Sequence, residues 1–465
     1  MLKRHSHLVI GLLLTLVVAS VFLGYRDSPA SGAAGTQDTY LPVVLRSWPA
    51  TNTPVPTSTP TVTGTPPTAG APVVFPVGTG GADVIPRQIV RTGNDLVYLF
   101  ANQQYSTLLG AYWTTSAGLP NAQSAFSGSA SVNVGANVIS VDAVFDGGSI
   151  IHVLVNTQGG QLKDYPFDTG TSTFKSALTV VASGNPTVSG DYVGTCGVSG
   201  MVDQSGKLQI AYWSNGNHIT HRAYTYDSGG NTLTLVEGPT QVDTAGSANH
   251  PAVAVSPVDN SLTVAWVSEA TTPRKILART RTSAGVWGSV ETVSTAPVWT
   301  STNFGINIDQ GPSLVIAGDD VKHLIYMENT DSSGDYGRVH YVVNSGSGWT
   351  DQALGIYTHA PGIAMSSTGQ FYVFGHGHPK NSIAYGAGSP CLDMRDMCYI
   401  KKSGGGAWGA PQLLIAHTGS NSFDASPSIK WGVVGWNRPQ TIEIVFFRIT
   451  NGDYSNPTLY YARMP

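Results

Sequence analysis

Histidines, carboxylates and one tyrosine recur in this chain at positions suited to acid-base or ligand chemistry. His376 and His378 stand two apart, so on an extended strand they share a face, as the ligands of a His-x-His metal site do. His359 precedes them and Tyr385 follows. A second set emerges on counting back from prolines that open short apolar segments: Asp83 before Pro86, His250 before Pro251, Asp309 before Pro312, His359 before Pro361 and Asp424 before Pro427. Carboxylates and imidazoles brought together can transfer protons, hold a cation or hydrogen-bond sugar hydroxyls. An Asp ahead of a strand also caps a turn, a role that fits the histidines less well.

For residues so far apart to meet, the chain must be a closed repeat. One phrase returns from about Ala71 to Pro465: a small or apolar strand, a Gly/Asp/Asn turn, an aromatic-rich strand, a third strand and a Trp-bearing turn. It reads clearly from His250 to Trp287 and again from Ala360 to Trp408. Such units bury both faces only by stacking around an axis, which predicts an all-β fold, a β-propeller of four-stranded blades. The turns between innermost and second strands fall at Gly93-Asn94-Asp95, Asp146-Gly147-Gly148, Asp203 to Gly206, Asp259-Asn260, Gly318-Asp319-Asp320, Ser366 to Gly369 and Asn437 to Gln440. They count about seven blades, with six and an irregular hairpin as the alternative. The chain ends at Leu459 to Met464 on what is only a third strand, so Val73 to Val77 is expected to supply the outer one and close the ring. In that ring Asp83, His250, Asp309, His359 and Asp424 would converge at one end of a central funnel.

Composition agrees. The 465 residues include 54 glycines, only 11% are charged and 41% are hydrophobic, which suits turn-rich β structure with a sizeable core. The formal net charge of -4 is spread without a basic run, which argues against nucleic acid as a partner. Residues 1-30 read as an export signal: Lys3 and Arg4 precede an apolar run from Leu8 to Gly24, and small residues follow. The run is at the lower edge of what spans a bilayer, so cleavage and an uncleaved membrane anchor both stay open. Residues 31-72 form a Thr/Pro-rich linker, an extended spacer suited to O-glycosylation, and residues 73-465 form the propeller. The expected product is an extracellular or cell-surface monomer. The chain has three cysteines. Cys391 and Cys398 share the longest insertion, Gly386 to Lys402, and in an exported protein they are expected to form a disulfide. A metal held by Cys391, Cys398 and His378 is the alternative; Cys196 reads as a small buried residue. The sequence assigns no cofactor.

Ser403 to Trp408, Asn344 to Trp349 and Ser283 to Trp287 resemble worn Asp-box hairpins, Ser-x-Asp-x-Gly-x-x-Trp, of sialidase-like (BNR-repeat) propellers. In that family the box is structural, and its Trp packs between blades. Asp168-Thr169-Gly170 and Asp227-Ser228-Gly229 keep the Asp and lose the Trp. The resemblance implies the fold rather than sialidase activity. Ile85-Pro86-Arg87 reorders the family's Arg-Ile-Pro phrase, and Glu237, Glu269, Glu291, Glu328 and Glu443 stand in no catalytic phrase of that family. The stretch from His359 to Tyr385 is similar to a BNR-repeat branch that includes polysaccharide lyases of the ulvan-lyase type, in which His and Tyr act as base and acid in β-elimination from a uronate. That resemblance carries over His359, His376 or His378, and Tyr385 as catalytic candidates; it assigns no full arginine set for the uronate carboxylate, and Arg338 and Arg395, read as lying in loops of neighbouring blades, are ligand-binding candidates. The N-terminal layout, a short apolar island at Tyr40 to Arg46 followed by a Thr/Pro spacer, resembles that of exported Chloroflexota-type proteins. Two function classes follow. One is a propeller that recognises extracellular carbohydrate or another macromolecule, with Trp113, Tyr212, Trp213 and Trp299 stacking on sugars. The other is a polysaccharide lyase or glycoside hydrolase acting through the funnel groups.

Overall fold

A computed structural model describes residues 72–79, 87–102, 107–185, 197–298, 311–328, 337–358, 361–366, 368–376, 391, 396–417, 423–424, 442–449 and 458–464. All lie in one compact unit, Thr65–Pro465. These residues form seven antiparallel sheets; the innermost strands of six successive sheets pack side by side, and the seventh meets the first through its second strand. The chain is a seven-bladed β-propeller.

Blade 1 runs Arg87–Arg91, Val97–Asn102, Leu108–Trp113, Gly128–Asn133 from the axis outward, and blades 3 to 6 repeat the order. Their innermost strands are Val198–Val202, Ala248–Val255, Ser313–Ile316 and Gly362–Met365. Every described turn after an innermost strand holds a residue in the left-handed region: Asp95, Gly147, Gly206, Asn260, Asp320 and Gly369. Gly, Asn and Asp tolerate that conformation best, which is why they punctuate the sequence there. The seventh expected turn, Asn437 to Gln440, lies outside the described residues.

Blade 2 departs from four strands. Beyond Val138–Phe145 and Ile150–Thr157, its third strand is split into Leu162–Asp164 and Phe167–Asp168, and its fourth into Thr173–Phe174 and Leu178–Val181. Pro166 sits at the break in the third strand and has no N–H for the ladder; its carbonyl accepts from Lys175 N at 2.8 Å.

Burial falls from axis to rim. Second strands such as Val97–Asn102, Ile150–Thr157 and Leu262–Ser268 are buried throughout, whereas the outer strand Gly128–Asn133 alternates half-buried and exposed. A second strand is covered on both faces by the neighbouring blades, so β-branched and aromatic residues suit every position in it. The Trp-bearing turns seal the seams. Trp287 packs 5.3 Å from His221 of blade 3, Trp349 donates to Glu291 of blade 4 at 2.7 Å, and Trp408 meets Tyr341 of blade 5 edge-on at 5.1 Å. In the turns that keep it, the Asp caps the backbone: Asp168 accepts from Gly170 and Thr171, and Asp227 from Gly229 and Gly230.

The ring closes as expected. Blade 7 is Phe423–Asp424, Glu443–Ile449, Thr458–Arg463 and, outermost, Val73–Thr79. Val73 lies opposite Arg463 and Phe75 opposite Tyr461. The stacking aromatics are corrected in part. Trp113 is buried against Tyr98 and Phe167, and Tyr212 is buried in the blade 2 to blade 3 core; Trp213 is half-buried, and Trp299 lies outside the described residues. Alternation along a strand does not reveal an inner face when both faces are packed.

Three buried histidines set a pH dependence of stability. Burial lowers the affinity of His152 for its proton, but the Asp164 carboxylate, 2.6 Å from Nδ1, outweighs it and the pKa is raised. His340 is raised in the same way, burial being outweighed by Asp351 and Glu328. His221, buried and near Arg281, is lowered to about 3. The raised pair contributes stability that is full below the unfolded value of about 6.5 and is lost as pH rises through the folded values. His221 contributes stability that is full above about 6.5 and lost as pH falls toward 3. The expected Tm therefore declines on both sides of about pH 6.5, and His340→Gln should flatten the alkaline limb in melts across pH. An unchanged alkaline slope in that variant would refute the assignment.

Candidate functional site

The N-terminal ends of the innermost strands define one face of the ring. By up-and-down order, second strands end there, third strands begin there and fourth strands exit there. Of the sequence-derived candidates, Asp83, Asp309, His359, His378, Tyr385 and Arg395 lie outside the described residues, as does Cys196. The backbone places His376 at the end of the second strand of blade 6, opposite Met397, and Asp424 in the innermost strand of blade 7, opposite Arg448.

His250 is placed in detail. The innermost strand of blade 4 bulges between Asn249, opposite Val267, and Ala252, opposite Ala265. His250 occupies the bulge with φ 54°, in the left-handed region that only a few per cent of non-glycine residues adopt. The ring Nδ1 pairs with Asn249 Oδ1 at 2.7 Å. Gly311, at the start of the blade 5 inner strand, leaves room for it: a Cβ there would stand 2.8 Å from His250 Cβ. The bulge turns a half-buried polar pair out of an apolar strand and holds it beside the segment that follows Asp309.

Deeper at the same end, polar groups knit the blades. Gln88 Nε2 of blade 1 donates to Asp142 of blade 2 at 2.9 Å, and Asp142 accepts from Gly200 N of blade 3 at 2.7 Å. Ser140 Oγ and the Asn156 amide are buried with no hydrogen-bond partner among the described residues. Both press on Gly197, where a Cβ would lie 2.8 Å from Ser140 Oγ.

Arg338 is corrected from a loop to a strand: it is the second residue of Gly337–Asn344 in blade 5. Its Nε donates to Glu328 Oε2 at 2.7 Å, and its side chain is 36% exposed. Glu328 also meets His340 Nε2 at 3.0 Å, while His340 Nδ1 and Tyr326 both reach Asp351, at 2.7 and 2.5 Å. These partners hold the Asp351 carboxyl well below the usual carboxylate range despite its burial. The network holds the guanidinium through Nε while the side chain stays about a third exposed. In blade 6 the Cys391–Cys398 disulfide forms as expected, pinning the end of the insertion where Cys398 pairs with Gly375, next to His376.

Two Asp-His pairs on this face have no counterpart in the sequence reading: His218 with Asp243 in blade 3, and His417 with Asp396 in blade 6, each at 2.9 Å. Partners 25 and 21 residues apart give no spacing signal; only the pairing of third and fourth strands brings them together.

No family model and no curated protein matches the chain. Solved structures do. The BP39L lectin from Burkholderia pseudomallei superposes with a TM-score of 0.50 at 13% identity, over 82% of this chain and 96% of the lectin. A polysaccharide lyase, an ulvan lyase, gives 0.51 at 11% identity over 83% and 94%, and another structure of it is bound to -[GlcA(1-4)Rha3S]-. The fold is shared. At these identities the likeness extends to architecture, and chemistry has to be argued from the face itself.

Proposed function

We propose that this protein is an exported propeller that recognises extracellular carbohydrate on the face where its innermost strands begin. The observation that carries the reading is the His250 bulge. A strained backbone that holds an imidazole and an amide half-exposed at the axis is costly to keep and points to a role for that pair. Paired donors and acceptors where the innermost strands begin suit the hydroxyls of a sugar. Architecture shared with a lectin and a polysaccharide lyase supports the substrate class by fold analogy.

The apolar run after Lys3 and Arg4 supports export, and the Thr/Pro linker supports display at a distance from the cell, as an extracellular or surface-anchored monomer. Worn Asp-box turns whose Trp seals the seams support kinship with sialidase-like propellers. A lyase reading is favoured by one observation: Arg338 offers a pre-oriented, partly exposed guanidinium on the same face, which suits a uronate carboxylate. The experiment is retention of the purified propeller on an immobilised panel of neutral oligosaccharides and polyuronates, read together with the ultraviolet absorbance of an unsaturated uronate. Retention without absorbance is expected for a binding module, and absorbance with turnover for a lyase. Neither signal on any member would overturn the carbohydrate reading.

A further inference from the structure

We propose that His218 of blade 3 is a second sugar contact, accepting a hydrogen bond from a ligand hydroxyl through Nε2. This rests on the reading of the face as glycan-binding and adds to it a residue remote in sequence from every candidate in the funnel. Asp243 has a side chain only 3% exposed and accepts from three donors: Ile219 N at 2.7 Å, Gly246 N at 2.9 Å and His218 Nδ1 at 2.9 Å. With two backbone amides also donating to it, the carboxylate faces Nδ1 as an acceptor, and the imidazole tautomer this selects presents its lone pair at Nε2. The side chain is 31% exposed.

The flanks of the ring are kept clear by glycine backbone. A Cβ on Gly216 would stand 3.1 Å from His218 Cδ2, and one on Gly246 would stand 3.2 Å from Cε1; both glycines have positive φ. Blade 6 separates this feature from strand-end clamping. There Asp396 immediately precedes the third strand, and His417 follows the fourth by two residues, as Asp243 does in blade 3. The clamp is common to both blades with its residues exchanged; among the described residues, the glycine slot against the ring is found at His218. Among the described residues no Lys or Arg hydrogen-bonds or ion-pairs with the side chain of His218 or Asp243, so the pair suits a neutral hydroxyl rather than a carboxylate.

The test uses the panel member that the parent protein retains most tightly. His218→Asn keeps a donor at the Nδ1 position for Asp243 and removes Nε2, so the clamp and the Tm should persist while affinity falls about tenfold, the loss of one hydrogen bond. In the parent, that glycan should protect His218 from acylation by diethyl pyrocarbonate, read by peptide mass spectrometry. Retention by a parent whose His218 is acylated equally with and without glycan, together with unchanged affinity in His218→Asn, would overturn this inference and leave the carbohydrate reading standing. A parent retained by no member would remove both.

Discussion

Deleting residues 73–77 should abolish the cooperative thermal transition and drive the protein into aggregates. That segment is the outer strand of blade 7, and its loss exposes the edge of Thr458–Arg463 as a row of unpaired amides and carbonyls, a template for intermolecular pairing. It also empties a core. Phe75 and Val77 are buried with Phe126, Leu459 and Tyr461, the Phe75 ring lying 5.1 Å from Tyr461 and 6.1 Å from Phe126. Phe75→Ala alone should cost about 3–5 kcal/mol, against a total stability of about 5–15 kcal/mol for a typical domain. The deletion removes that contact, a second buried side chain and a ladder together. Scanning calorimetry with light scattering reads the outcome, and a deletion variant that melts cooperatively at the parental temperature would show that the two termini do not close the ring.

The closure was legible because Val73 to Val77 reads as a strand with no blade of its own and because an unpaired blade edge is costly. The inner turns were legible for a local reason: a left-handed residue is needed in each, and few residue types supply it. Trp113 and Tyr212 were misread as sugar-stacking platforms because nothing local in a strand tells a seam between blades from a surface. Arg338 was assigned to a loop because the third strand of blade 5 begins at Gly337, a residue that reads as a turn. The His218–Asp243 pair could not be seen at all. It depends on fourth-strand exits meeting third-strand starts, and its meaning depends on a tautomer fixed by two backbone amides. The His250 bulge lies between these cases: the sequence marked the residue by its proline, but the left-handed conformation follows from the mismatch in register with Leu262–Ser268.

Glu443→Ala should be as damaging as Phe75→Ala at the seam between blades 7 and 1. Glu443 accepts from Arg91 Nε and Nη2 at 2.5 and 2.6 Å and from the Tyr461 hydroxyl at 2.5 Å. Burial opposes the charge on Arg91, but Glu443 outweighs it and raises the guanidinium pKa further above its already high value; burial and the same carboxylate push the Tyr461 hydroxyl well up. Removing the carboxylate strands a largely buried cation, which keeps the exposed Asp95 carboxylate and the Asp95 and Gly118 carbonyls at Nη1 but no partner at Nε or Nη2 among the described residues, and orphans a fully buried hydroxyl. The expected cost is about 3–5 kcal/mol, measured by denaturant unfolding. The pair itself earns far less, because two charges were desolvated to make it. A triple variant, Arg91→Met with Glu443→Leu and Tyr461→Phe, leaves no orphan and should therefore be more stable than Glu443→Ala. If the single variant costs under about 1 kcal/mol, the triad behaves as a solvated surface pair, and the seam must be held by the apolar contacts around Phe75 and Tyr461 alone.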